Sequence, residues 1–297
     1  MFWKKLFRKN KDQNHSEFIE SGTLKAVVLS DLGNIRTNNE DVGMFYRIAD
    51  DAITNEKGYL LMVADGMGGH KAGEVASKLA VETVSKEYFR VNGNDGNIEK
   101  KLAKAFAMAN KRIFELASSQ KSMHGMGTTC TALVVVSDSV YFAHAGDSRA
   151  YFFKKRSVER ITEDHTYVQE LVKLGEIRAE EADTHPKRNI LTNAMGTKVD
   201  LRVDTGKCES SFEIGDRLML CSDGLYDYFS DEELAEIVGS NTSLQETAEY
   251  LISETKKRGA HDNITVVLAE KFEIGTDAPA RETRDFDIPQ TKEYDLP

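Results

Sequence analysis

Repeatedly along this chain, an apolar, β-rich run stops at an aspartate that is followed by a turn. Residues 60–64 run into Asp65-Gly66-Met67-Gly68-Gly69-His70, residues 140–145 into Gly146-Asp147-Ser148-Arg149, and residues 218–221 into Ser222-Asp223-Gly224. A further acidic station, Arg36-Thr37-Asn38-Asn39-Glu40-Asp41, separates two strand-like runs, and Asp262-Asn263 precedes the last one. An aspartate at the end of a buried strand is held rigidly, and a glycine after it lets the backbone turn and present its carbonyl. A single Asp-Gly is an ordinary turn dipeptide. Several such stations gathered at one end of a sheet would supply carboxylate, carbonyl and water oxygens, which hard divalent cations such as Mg²⁺ or Mn²⁺ take as ligands.

The order of elements narrows the fold. Strand patterns at 24–29, 42–48 and 59–64 lead into two helical stretches, about 72–90 and 98–117, with apolar residues at spacings of three or four. Strand patterns return at 129–136, 140–145 and 149–154, helices are expected at 164–174, 231–238 and 243–258, and a strand at 264–270 closes the series. Strands, a helix pair, strands again and then helices do not follow βαβ alternation. They suit a largely antiparallel, layered α+β domain. The expected organisation is a basic amphipathic extension at 1–21, a domain at 22–271 and a disordered tail at 272–297.

Charge and composition exclude several classes. The 297 residues carry a formal net charge of -10, which argues against a general nucleic-acid binder needing a cationic face. Cys130, Cys208 and Cys221 form no CxxC spacing, so neither a disulfide framework nor a zinc knuckle is indicated, and a reducing cytosol fits. No run reaches the length of a membrane span, and the N-terminus lacks the apolar stretch of a signal peptide. In the extension, Phe2, Trp3, Leu6 and Phe7 interleave with Lys4, Lys5, Arg8 and Lys9, a pattern suited to weak docking on an anionic membrane or a partner. The tail repeats aromatic-Asp-aliphatic-Pro at Phe286-Asp287-Ile288-Pro289 and Tyr294-Asp295-Leu296-Pro297, a candidate bivalent docking motif.

The ordered series RTNNED, DGMGGH, GTTCTALVV, AGDSRAY, DHT, HPKRNILTNAMG, CSDGLYD and HDNITVV resembles the protein phosphatase 2C (PPM) family of Ser/Thr phosphatases, in its bacterial form, over about 30–270. The resemblance implies a four-layer αββα sandwich, two central antiparallel sheets flanked by helix pairs, with metals at one end. It implies that Arg36 binds substrate phosphate, where a planar guanidinium fork meets two oxygens at once. Glu40, Asp65, the Gly66 carbonyl, Asp223 and Asp262 would then hold two core Mn²⁺ or Mg²⁺ ions. Asp41 would steady that cluster, and Asp147 with Asp223 would take a third ion. Catalysis would rest on Arg36, Asp65 and Asp223, by a metal-activated water without a phosphoenzyme.

One departure concerns proton transfer. Animal members of the family carry His after Asp-Gly, proposed as the acid for the leaving group; position 67 is Met here, and a thioether donates no proton. His70 is a nearby alternative, and His144 reads as a packed structural residue. Residues 160–200 correspond to the flap that borders the site in bacterial relatives. The implied partners are phosphorylated proteins and a cognate Ser/Thr kinase, for a monomeric enzyme in the cytoplasm or at the inner face of its membrane. The alternatives are a pseudophosphatase that binds phosphoproteins and a phosphatase acting on a sigma-factor switch protein. Retention of every expected acidic ligand speaks against the pseudophosphatase.

Overall fold

Residues 60–64 are buried without a break because both faces of their strand are covered. Leu60, Met62 and Ala64 pack under helices on one side, while Leu61 and Val63 face a second sheet on the other. The computed structural model describes residues 15–48, 50–68, 71–90, 97–155, 157–240 and 242–273. Its strands are β1 His15–Ser21, β2 Leu24–Asp31, β3 Asp41–Tyr46, β4 Tyr59–Met67, β5 Gly127–Thr128, β6 Cys130–Val136, β7 Ser139–Ala145, β8 Arg149–Lys154, β9 Ser157–Arg160, β10 Asp204–Lys207, β11 Arg217–Cys221 and β12 Ile264–Lys271. One sheet has the order β1-β2-β12-β11-β8-β9 and the other β10-β7-β6-β4-β3, with β5 beside β4. The strand pairings are antiparallel throughout.

Two long helices, α2 Lys71–Arg90 and α3 Ile98–Ser119, follow the short α1 Asp51–Lys57 and cover the second sheet. On the opposite side, α7 Asp231–Val238 and α8 Leu244–Arg258 cover the first. Both of these helices begin with a capping box: Ser230 with Glu233, and Ser243 with Glu246, each satisfying backbone donors that would otherwise be orphaned. Three apolar cores therefore alternate with the layers, one between the sheets and one under each helix pair. This is the αββα sandwich expected from the motif series. Short helices α4 Tyr167–Lys173, α5 Ala179–Ala182 and α6 Asp223–Tyr226 lie in the connections.

The edges of the domain differ from expectation. The segment 1–21 was expected to stand outside the domain, yet His15–Ser21 pairs residue for residue with β2. Its alternation of half-buried and exposed positions is that of an edge strand, too polar to be read as a strand from hydrophobicity. At the other end, Phe272 donates its backbone N–H to the Thr23 carbonyl, and Lys25 lies over its ring. The basic amphipathic residues 2–9, His70 and the repeated tail motif lie outside the described residues. Besides β1, the elements not expected from the sequence are α1, β5, α5, α6, β9 and β10, all of them short.

β12 is the last strand among the described residues and sits between β2 and β11. That insertion brings the residues before β12, after β2, after β11 and before β8 to one end of the sandwich. The register is explicit: Ile264 pairs with Asp31, and Cys221 with both Val266 and Arg149.

Candidate metal centre

Asp41 and Asp65 are register partners at the adjoining ends of β3 and β4, so both carboxyls project from the same face. Asp223 opens α6 immediately after β11, Asp147 lies two residues before β8, and Asp262 two before β12. The structure thus brings together the five expected aspartates, with Arg36 and Glu40 at the rim. The charge of Arg36 and that of Asp262 both act on Glu40, whose carboxyl is raised from its ordinary range chiefly by burial.

The electrostatics of this cluster are those of carboxylates held together with too little compensating charge. Burial, followed by the charges of Asp41, Asp223, Asp147 and Asp262, pushes Asp65 well above the usual carboxylate range. Asp147 is raised well above it by burial and by Asp223, with Arg149 opposing. Burial pushes Asp41 up to about 7 and Asp223 up to about 6, in each case with Asp262 adding to the repulsion. Burial and like charge both disfavour the ionised form. One further detail points outward from the protein: Asp223 Oδ1 is buried and has no hydrogen-bond partner among the described residues. A buried acceptor left unpaired is costly, and a bound cation satisfies it.

The surrounding polar residues position this set. Ser222 donates its hydroxyl to Asp41 Oδ2 at 2.7 Å and accepts from the Thr265 N–H at 3.1 Å. Asn263 holds the loop that carries Arg36 and Glu40: its amide donates to the Leu32 and Asn38 carbonyls, and its oxygen accepts from the Glu40 N–H. The Asp65 backbone is gripped by Thr128 and Thr129, whose hydroxyls respectively donate to its carbonyl and accept from its N–H. Gly224 and Gly73 permit close approach. A Cβ on Gly224 would overlap the Asn263 carbonyl, and one on Gly73 would overlap the Glu40 carboxylate.

His165 joins the Asp147 station to the flap. Its Nδ1 accepts from the Gly146 N–H at 3.2 Å and the Asn193 amide at 2.8 Å, which leaves Nε2 as the donor to Asp204 at 2.9 Å. His144 is a fully buried structural residue, between Thr131 and the Glu163 carbonyl, and burial lowers it to about 4. Met67 lies just past the carboxylates and lines a cavity of about 470 Å³ together with Glu170, Leu191, Asn193 and Lys198.

Sequence reasoning named no role for Ser222, Asn263, Gly73, Thr128, Thr129 or His165. All but Gly73 fall within quoted motifs, yet their partners are distant in sequence. Ser222 meets Asp41 across 181 positions, and Asn263 meets Glu40 across 223.

The donor set fits hard divalent cations. It offers carboxylate oxygens from several stations and the orphaned oxygen of Asp223, with no thiolate or imidazole among the described residues converging on them. Among the described residues no three of these side chains form a ready-made ligand triplet. An ion here would draw on single oxygens from several stations, on backbone carbonyl and on water, which is how Mg²⁺-type sites are commonly built.

Comparison with known proteins gives a concordant picture. The family model for Protein phosphatase 2C matches residues 47–269. The chain is 38% identical over 259 residues to the serine/threonine phosphatase stp of Listeria welshimeri serovar 6b, covering 86% of this chain and 100% of that protein. The serine/threonine phosphatase Stp1 from Staphylococcus aureus superposes with a TM-score of 0.76 at 35% identity, over 86% of this chain and 98% of that one. The catalytic domain of the serine threonine protein phosphatase PstP, solved in complex with two manganese ions, superposes with a TM-score of 0.69 at 34% identity, over 84% and 99%.

Proposed function

The chain belongs to the protein phosphatase 2C family, and from that premise we propose that it is a metal-dependent phosphatase of phosphoserine and phosphothreonine in proteins. The observation that carries the reading is the buried group of carboxylates with its orphaned Asp223 oxygen, at the end of the sandwich where the family motifs meet. Family members are metal-dependent, and a relative has been solved with two manganese ions.

Asp65, the Gly66 carbonyl, Glu40, Asp223 and Asp262 are the residues proposed to hold two divalent cations, and Asp147 with Asp223 a third. Mn²⁺ and Mg²⁺ both suit this oxygen set. When bound, such ions activate water at neutral pH and offset phosphoryl charge. The protein's own contribution is positional. Arg36, half-exposed at the rim, receives the phosphoryl oxygens through its planar fork. Ser222 and the Thr265 backbone hold Asp41 so that it braces Asp65 from the neighbouring strand. The Asn263 side chain keeps the Arg36–Glu40 loop in reach of both. Met67 supplies no proton to the leaving group. The buried thiols take no part: burial raises Cys130 and Cys221 far above any pH at which a thiolate would form.

Phosphorylated proteins and an opposing Ser/Thr kinase are the proposed partners. No helix among the described residues is long and apolar enough to cross a membrane. The test is hydrolysis of p-nitrophenyl phosphate and of a phosphothreonine peptide by the purified chain with Mn²⁺, with Mg²⁺ and with EDTA. Turnover of both substrates that EDTA abolishes is the expected result. Turnover that survives EDTA, or none in a folded, Mn²⁺-loaded sample, would overturn it.

A further inference from the structure

The guanidinium of Arg36 lies 2.6 Å from Asp262 Oδ2, and the other oxygen of that carboxylate accepts the Asn263 N–H at 2.8 Å. Asp262 thereby has both oxygens engaged, one of them by a full positive charge. Asp41, by contrast, is held by hydroxyl groups, and Asp223 keeps an oxygen with no partner among the described residues. Arg36 also acts on Glu40, so a single guanidinium covers two of the residues proposed as cation ligands. The contact lies at the rim: the Arg36 side chain is 50% exposed and that of Asp262 36%, so the arginine is free to swing away without opening the core.

We propose that Arg36 and a divalent cation compete for Asp262, so that loading of this site releases Arg36 to take the substrate phosphoryl group. The proposal rests on the phosphatase reading above and adds an order to it. A cation and a guanidinium on the same carboxylate oxygen repel each other, and whichever arrives displaces the other. Displacement by the cation leaves the fork of Arg36 without its carboxylate partner. A phosphoryl dianion is the natural replacement, since its oxygens match the same fork. Cation and phosphate then favour each other's binding, and the coupling is reciprocal. The protein would bind free phosphate or phosphoprotein poorly until its cation site is filled.

Competition has a counter-intuitive signature, because removing a phosphate-binding arginine should strengthen cation binding. The probe is Mn²⁺ itself, titrated into the full-length protein by calorimetry and by electron paramagnetic resonance of the free ion, without phosphate. Arg36→Ala is expected to tighten Mn²⁺ binding by about fivefold or more, the lower end of typical coupling between sites. In an Asp262→Asn background the same change should give a clearly smaller gain, limited to what the charge of Arg36 on Glu40 accounts for. Arg36→Gln serves as a second variant should the alanine form fail to fold. Unchanged or weaker Mn²⁺ affinity in both Arg36 variants would overturn the proposal. So would a gain of undiminished size in the Asp262→Asn background, since that would reflect the field of Arg36 alone. With Mn²⁺-dependent hydrolysis intact in the wild type, either result sinks the competition and leaves the phosphatase reading standing. Absence of Mn²⁺ binding in the wild type would remove both.

Discussion

Asp41 and Asp65 stand opposite one another as register partners on adjacent strands, and both carboxyls are raised out of the ordinary carboxylate range. Two like charges on one sheet face repel, and burial adds to the cost of ionising either. The fold carries this repulsion where the ends of two paired strands adjoin. A stability penalty at a functional site of this kind gives the first prediction.

Neutralising one member of the cluster should stabilise the protein in chelator. Asp223→Asn removes a charge that acts on Asp65, Asp41 and Asp147. In EDTA this variant is expected to melt about 2–4 °C above wild type for each ~1 kcal/mol of repulsion relieved. In saturating Mn²⁺ the order should invert, and hydrolysis should be abolished, because the wild type then gains ligand-binding energy that the variant lacks. Differential scanning fluorimetry in both conditions reads the sign; a lower melting temperature in EDTA would contradict the electrostatic account.

The pH dependence of stability in EDTA should run opposite to the usual acid-denaturation trend. Asp41 is raised to about 7 and Asp223 to about 6, from ordinary values near 4. Between those limits the folded state binds more protons than the unfolded state, so stability falls as pH rises. Their contribution is fully present below about pH 4 and is lost by the time pH passes about 7. Melting temperature in EDTA is expected to decline from pH 5 to pH 8. With Mn²⁺ the slope should reverse, since ions and protons compete for the same oxygens. A chelated protein that grows more stable towards pH 8 would refute the assignment.

Asn263→Ala should damage both fold and site. Its side chain, buried at 4% exposure, bonds three backbone groups of the loop between β2 and β3. Losing them leaves buried backbone groups unpaired, and about 2–4 kcal/mol of stability should go with them. Urea denaturation with Mn²⁺ present measures the loss, and kcat/KM should fall along with it as Arg36 and Glu40 lose their register. Wild-type stability would show that water replaces the amide.

Gly73→Ala tests a contact that no acidic motif announced. The added methyl would meet the Glu40 carboxylate and the Gly66 carbonyl, two proposed cation ligands, near the start of α2. Ala is otherwise favoured over Gly in a helix, by about 1 kcal/mol. The variant is therefore expected to keep its helix content while losing about tenfold or more in Mn²⁺ affinity, as measured by calorimetry; losses of that size follow when a ligand's supporting shell is disturbed. Unaltered affinity would mean that Glu40 turns aside at no cost.

The sequence by itself determined the composition of the centre. Acidic residues recur at strand ends, and apolar runs such as 60–64 and 218–221 are too continuous for strands with one wet face. These are local properties, set by residue type and periodicity, and together with the order of elements they suffice for a layered antiparallel domain with aspartates at strand ends. The edge strand β1 escaped that reading because its polar, half-exposed residues carry no hydrophobic signal and depend on hydrogen bonds to β2. Only the tertiary structure decided which station faces which. Insertion of β12 between β2 and β11 carries Asp262 to Arg36, Ser222 to Asp41 and Asn263 to Glu40. Each of these contacts spans some 180 positions or more, and strand order in a sheet is a property of the whole packed chain. Sequence names the candidate ligands, and the packing of three cores sets the distances between them.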